Sequence, residues 1–146
     1  MKKKVLSVIG TCCSLALIAA ATVNAQLPGT ALRANIPFDF SVKGKLFPAG
    51  EYEIKRFSDG PDGLMISGLN NRQHAIFETE PVEARKAPSR GELVFHKYGD
   101  SYFLSEIFAG GEKAGRLLEP TRQERMLKQE VASNNTQSET VAVAVY

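Results

Sequence analysis

Beyond residue 13 this 146-residue chain has no cysteine, and Cys12 and Cys13 sit inside an apolar run from Val5 to Val23. Lys2, Lys3 and Lys4 precede that run, and Val23-Asn24-Ala25 closes it on small residues. A basic start, an apolar middle and a small-residue cut describe a secretory signal peptide over residues 1–25, removed before Gln26. Gly10, Thr11, Ser14, Thr22 and Asn24 dilute the run, which argues against a membrane-spanning helix. A lipid anchor would need a cysteine at the cut, and both cysteines come too early. Export to the periplasm, the cell surface or the medium is therefore expected, with no transmembrane span after cleavage. Removing the leader leaves 146 − 25 = 121 residues, enough for one domain with a real core and too few for two. Without cysteine that domain has no disulfide framework and no thiol chemistry.

A surplus of charge is missing as well. The precursor has 18 basic and 16 acidic side chains; losing three lysines leaves 15 against 16, a net of −1. A near-neutral domain carries no electrostatic footprint for nucleic acid, and that class of partner is set aside. Histidine is scarce, with His74 and His96 alone and far apart in the chain. A zinc centre wants three or four ligands with a supporting shell, so no metal and no cofactor is expected. The chain has no Walker A loop, no G-x-G-x-x-G, no H-E-x-x-H and no G-x-S-x-G elbow. It shows no internal repeat of solenoid or propeller period.

What the chain does have is alternation. Leu32, Ala34, Ile36, Phe38, Phe40 and Val42 take every even position, with Arg33, Asn35, Pro37, Asp39, Ser41 and Lys43 between them. Side chains alternate across a strand, so this pattern predicts one half-buried strand over Leu32 to Val42. Pro37 cannot donate to a ladder, which places the strand at an edge or gives it a bulge. Phe47 to Phe57 is its return segment, entered through turns at Lys43-Gly44-Lys45 and Phe47-Pro48-Ala49-Gly50. Asp59 to Gly63 reads as a loop, Leu64 to Leu69 and His74 to Thr79 as strands turning at Asn70-Asn71, and Pro81 to Ser89 as a brief edge strand and loop.

Glu92 to Phe108 predicts a hairpin turning on Gly99-Asp100. Simple alternation puts Leu93, Phe95, Tyr102, Leu104 and Phe108 on one face and Val94, His96, Tyr98, Phe103 and Ile107 on the other. Both faces are then largely apolar, which calls for a barrel, a covered sandwich or a partner. Thr121 and Glu124 form a capping-box pattern after Pro120, opening a helix to about Val131 with a Glu124–Lys128 pair one turn apart. Only Met126, Leu127 and Val131 are apolar on it, so it packs weakly or lies on the rim. The polar stretch after residue 131 ends in Val141, Val143, Val145 and Tyr146, which reads equally as a last strand or a loose tail. The expected architecture is an all-β domain over 26–131, a small antiparallel sandwich or barrel with one short C-terminal helix, and a polar tail over 132–146.

Four groupings invite a chemical reading. Ser101, Asp100 and His96 cluster in sequence but straddle one tight hairpin, where Asp100 is a turn residue. Glu51 and Glu53 share a strand face roughly 7 Å apart by the rise per residue, within the range used for glycoside hydrolysis. Lys55 continues their row, as it would on a solvated face. Arg122, Arg125 and Lys128 recur at three-residue spacing on the helix, intermixed with Glu124 and Glu130, as on a salt-bridged surface. His96, Tyr98 and Phe103 put aromatic rings beside a polar group on one sheet face, the pattern of a ligand-stacking patch. The alternative is that the same three pack beneath the helix or against the second sheet.

The segments Ile36-Pro37-Phe38-Asp39-Phe40, Pro48-Ala49-Gly50-Glu51-Tyr52 and Val94-Phe95-His96-Lys97-Tyr98-Gly99-Asp100, with the Arg-rich run Arg116 to Arg125, resemble a group of small exported bacterial β-domain proteins. The resemblance implies an exported β-rich domain, no known activity and no catalytic residues to carry over. The function expected is thus a non-catalytic binding or envelope-associated module, whose partner is a ligand or an envelope component and whose ligand face is His96, Tyr98 and Phe103. The competing expectation is a small hydrolase of envelope glycan using Glu51 with Glu53, or His96 with Asp100.

Overall fold

The alternation from Leu32 to Val42 is kept on folding, but the single strand is not. In the computed structural model, which describes residues 31–57, 59–60, 62–134 and 137–146, β1 covers Leu32–Ile36 and β2 resumes at Phe40–Val42. The two belong to different sheets. Pro37 offers no N–H to a ladder, and the Asp39 carboxylate accepts from the Ala49 amide at 2.8 Å, so the chain turns a corner there. Ala34, Ile36, Phe40 and Val42 are all buried, so apolar alternation runs straight across the break. The expected signal peptide lies outside the described residues.

The strands β3 (Lys45–Phe47), β4 (Gly50–Arg56), β5 (Gly63–Gly68) and β6 (His74–Glu78) follow. One sheet has the order β1-β4-β5-β6, antiparallel throughout, and β1 is at its edge as Pro37 requires. After β7 (Glu80–Glu83), β8 (Glu92–Tyr98), β9 (Ser101–Phe108) and β10 (Ala114–Leu117) come helix α1 (Arg122–Ser133) and β11 (Glu139–Ala144). The second sheet runs β11-β8-β9-β10-β7. Pro81 again marks an edge, in β7. The far side of β9 is divided: Glu106 to Phe108 pair with β10, and Phe103 meets Ser41 of β2 in the one parallel pairing, with β3 beyond it.

Both sheets turn their apolar faces to one core, and both keep open edges, so the fold is a sandwich and not a closed barrel. Tyr52, Phe40, Phe47 and Phe95 are fully buried there, with Ile36, Ile54, Leu64, Ile66, Leu93, Ile107 and Val42. Phe40 stacks on Phe47 at 5.4 Å and meets Tyr52 and Phe95 edge-on at 5.1 and 5.5 Å. Phe38, at the corner between β1 and β2, stacks on Tyr102 at 3.9 Å. Burying one such side chain contributes roughly 1.5–3 kcal/mol.

The hairpin turns on Gly99, at φ +61°, and Asp100, with Tyr98 opposite Ser101. Its faces differ from simple alternation in one respect. Val94 pairs with Glu106 while Phe95 pairs with Leu104, so Ser105 is an extra residue in β9. Such a bulge reverses the parity of everything beyond it. Ile107 therefore joins Leu93, Phe95 and Leu104 in the core, and Phe108 goes to the opposite face. That is the reverse of the assignment that strict alternation predicts. Phe108 lies over Gly115 of β10, where an added Cβ would stand 2.3 Å from its ring.

The C-terminal valines form a strand, with β11 antiparallel to β8 and Val143 and Val145 packed on the core. Tyr146 then reaches the other sheet. Its amide donates to Arg33 O at 2.9 Å, Arg33 N donates to its carbonyl at 3.3 Å, and its hydroxyl lies 3.3 Å from Glu51 Oε1.

Candidate functional site

The face of the second sheet turned away from the core carries Val94, His96 and Tyr98 from β8 and Phe103 and Phe108 from β9. All but His96 are buried; its side chain is about a third exposed. Helix α1 lies over β8, and what fastens it is a charged side chain. Glu124 is the one buried residue of the helix, at 5 % exposure, whereas Met126 is 60 % exposed. The Thr121 hydroxyl accepts from the Glu124 amide at 3.2 Å, which is half of the expected capping box. The Glu124 carboxylate does not turn back to complete it, nor does it pair with Lys128. It reaches the sheet and lies 3.1 Å from His96 Nδ1.

On its other side His96 presents Nε2 to Ser105 Oγ at 3.3 Å. An ionised carboxylate only accepts, so Nδ1 carries the hydrogen, and in the neutral ring Nε2 takes one from the Ser105 hydroxyl. Ser105 stands two residues beyond Phe103, the partner of His96, and so faces the His96 side of the sheet; the residue is only 3 % exposed, and its carbonyl accepts from Leu118 N at 2.7 Å. Tyr98 belongs to the same group: burial pushes its phenol above the usual tyrosine range, and the charge of Glu124 adds to the shift. Its ring centroid lies 6.2 Å from that of His96 and 5.9 Å from that of Phe103.

Serine hydroxyl, imidazole and carboxylate in this order reproduce the connectivity of an acyl-transfer triad. Access decides what they do here. The Ser105 residue is only 3 % exposed, and the chain of contacts from Ser105 through His96 to Glu124 links β9 and β8 to α1 as a polar clasp.

The other sequence-derived groupings fall apart or prove structural. Asp100 and Ser101 stay exposed at the hairpin tip, and the His96 ring bonds Ser105 and Glu124 instead. Glu53 is paired with Arg33 at 3.0 Å and Lys55 at 3.8 Å, and Glu51 accepts from Asn70 at 3.1 Å. Glu51 and Glu53 are only partly exposed, while Lys55 is open to solvent. Tyr98 and Phe103 are buried, so neither ring offers an open stacking face. Arg122, Arg125 and Lys128 are exposed along α1. His74 is exposed on β6, and its carbonyl accepts from Lys45 Nζ at 2.7 Å. Among the described residues no three His, Cys, Asp or Glu side chains group closely enough to hold a metal ion.

Two features are not singled out in the sequence reading. Ser105 falls on the face that alternation gives to His96 and Phe103, but nothing in its local pattern marks it as a partner of His96. Arg116, at 3 % exposure, is the other: its guanidinium pairs with Asp62 and donates to Thr79 Oγ1 at 2.9 Å, pinning the loop before β5 and the link between β6 and β7 to β10. Its only sequence signal is a charge within a four-residue strand. No family model, no curated protein and no solved structure matches the chain.

Proposed function

We propose that the chain is an exported, non-catalytic β domain that works by binding, as a ligand-holding or envelope-associated module. One observation carries this: the side chains with the chemistry to react are already committed to holding the fold together. His96, Ser105 and Glu124 fasten α1, Glu51 and Glu53 are paired across the first sheet, and Arg116 is tied to Asp62. The leader, and the likeness of the Ile36–Phe40 and Val94–Asp100 segments to small exported bacterial proteins, support export. Fractionation of expressing cells tests it, with the chain expected in the envelope or medium; retention in the cytosol would end the reading.

The Ser105–His96–Glu124 connectivity favours a second reading, hydrolysis by acyl transfer. A fluorophosphonate probe separates the two. Labelling at Ser105 that His96→Ala abolishes would establish the hydrolase, whereas the binding reading expects no labelling of the folded protein.

A further inference from the structure

The outer face of the first sheet carries polar side chains that the fold does not use. Strand register sets Glu53, Ser67 and His74 abreast across β4, β5 and β6, with Lys55, Met65 and Ile76 abreast beside them. Their chain neighbours Ile54, Leu64, Ile66 and Phe77 are buried, so both rows face away from the core. Above them, bounded by the turn that enters β6, lies a cavity of about 430 Å³. That falls within the roughly 300–1,000 Å³ of small-molecule sites. Lys55, Arg72 and His74 line it together with Ser67, and no carboxylate does. The chain as a whole has 18 basic and 16 acidic side chains, so this bias is local. The cavity beside Lys43 has the opposite sign, with Asp62, Glu78, Glu80 and Glu119 on its wall. Glu53, next to Ser67 in its row, is taken up by Arg33 at 3.0 Å and stands 3.8 Å from Lys55. Lys45 Nζ, held at the His74 carbonyl, adds a third lysine or arginine charge to that edge. Among the described residues no hydrogen bond or ion pair engages the side chains of Ser67, Arg72 or His74.

The wall that carries Arg72 is fixed to the core before any ligand arrives. Gly68 leaves room for Asn71, whose Oδ1 would stand 2.0 Å from an added Cβ. Asn71 accepts from Gln73 N at 3.0 Å and donates to the buried Tyr52 hydroxyl at 3.2 Å, and Gly68 N donates to Gln73 O at 2.8 Å. A turn ordered in this way has little backbone freedom left to lose on binding. Beside Arg72, Gln73 Oε1 is a buried acceptor that no donor among the described residues satisfies. Turning the amide outward onto a ligand hydroxyl would relieve it.

We propose that this cavity binds a small acidic sugar, one that carries a carboxylate or phosphate group beside free hydroxyls. The inference rests on the ligand-holding reading above and names the ligand class. Arg72 offers a planar fork that matches two oxygens of either anion, and Lys55 adds a mobile point charge. Ser67 and the His74 ring supply further hydrogen bonds, and the Gln73 amide oxygen accepts from a hydroxyl. Met65 gives the C–H face of the ring an apolar surface to rest on. A neutral sugar would leave the cations unused, and a bare anion would leave Gln73 and Met65 unused. Only a ligand with both kinds of group engages the whole lining.

Amide chemical-shift titration of the isotope-labelled full chain tests it, with glucuronic acid, glucose phosphate, glucose and inorganic phosphate as the probes. Saturable shifts across 65–74 are expected with at least one of the two acidic sugars, and which one responds tells carboxylate from phosphate. Glucose and inorganic phosphate should each bind about tenfold more weakly or not at all. Arg72→Gln, on an exposed turn, should weaken sugar binding about tenfold or more, since it removes charge-assisted hydrogen bonds. Lys55→Gln should weaken it about threefold, and Arg90→Gln, outside the cavity, should leave it unchanged. Unaltered shifts in β8 and β9 show that each variant is folded. The absence of saturable shifts with either acidic sugar overturns the site. So does binding that Arg72→Gln and Lys55→Gln both leave unchanged, or inorganic phosphate binding as tightly as the sugars. A chain that fractionates to the envelope yet ignores both acidic sugars loses this ligand and keeps the binding reading, whereas retention in the cytosol ends that reading independently of the titration.

Discussion

Tyr52 brings packing and polarity together in one side chain. Its ring is fully buried against Phe40 and Phe47, while its hydroxyl donates to Pro48 O at 2.6 Å and accepts from Asn71 at 3.2 Å. Tyr52→Phe keeps the packing and strands those partners, at a cost of about 1–2 kcal/mol in urea unfolding. Burial raises the Tyr52 phenol, the Asn71 bond opposes that, and Asp39 adds to it; Tyr98 is raised by burial and then by Glu124. For both, the folded value lies above the unfolded one. Their stabilising contribution is therefore whole below about pH 10 and is lost as pH climbs through the raised folded values. Urea midpoints should fall above that pH, and a Tyr98→Phe chain should fall less steeply. Arg116 and Asp62 make an unequal pair, since the guanidinium is buried and the carboxylate is more than half exposed. Asp62→Ala leaves a buried cation without its counter-charge, costing about 3 kcal/mol. Arg116→Met leaves only a solvated carboxylate and should cost less, the reverse of what counting lost bonds suggests.

Helix α1 shows how an element is positioned by contacts that its own pattern does not contain. Its apolar residues are few and none is buried, with Met126 exposed and Leu127 and Val131 half-buried, so hydrophobic burial does little to seat it. The seat comes from Glu124 and His96, the latter held from behind by Ser105. His96→Ala should leave the Glu124 carboxylate buried without a partner. The expected result is a loss of about 2 kcal/mol, with amide exchange faster across 125–133 than in β8 and β9. Uniform acceleration throughout the chain would instead make the clasp part of the global core. The bulge in β9 acts over a longer range, because a single inserted residue decides which of Ile107 and Phe108 enters the core.

At the scale of the whole molecule, the two sheets are joined by a shared aromatic core, by the corner at Phe38, and by the chain end. Residues 139–146 cover β8 with β11 and then tie Tyr146 to Arg33 and Glu51 of the opposite sheet. A chain ending at Ser138 should be less stable by several kcal/mol, since Val143 and Val145 leave the core, each worth up to roughly 1.5–3 kcal/mol. It should also aggregate, because β8 becomes a long apolar edge. Thermal unfolding with light scattering checks both expectations.

Local pattern by itself determined a good deal here. The inward set of Leu32 to Val42, the turn at Gly99-Asp100, the edge positions of the strand that ends before Pro37 and of the strand holding Pro81, and the entrance of α1 at Thr121 all follow from side-chain alternation, turn chemistry and capping. Each concerns atoms within a few residues of one another, where sequence spacing and distance agree. The division of the first strand between two sheets, the extra residue at Ser105, the route of Glu124 to His96 rather than to its own helix, and the choice of strand over tail for β11 were decided by tertiary structure. Each depends on which distant segment lies alongside. Strand alternation says which face a residue takes and leaves its partner undetermined, because any apolar neighbour of the right parity satisfies it.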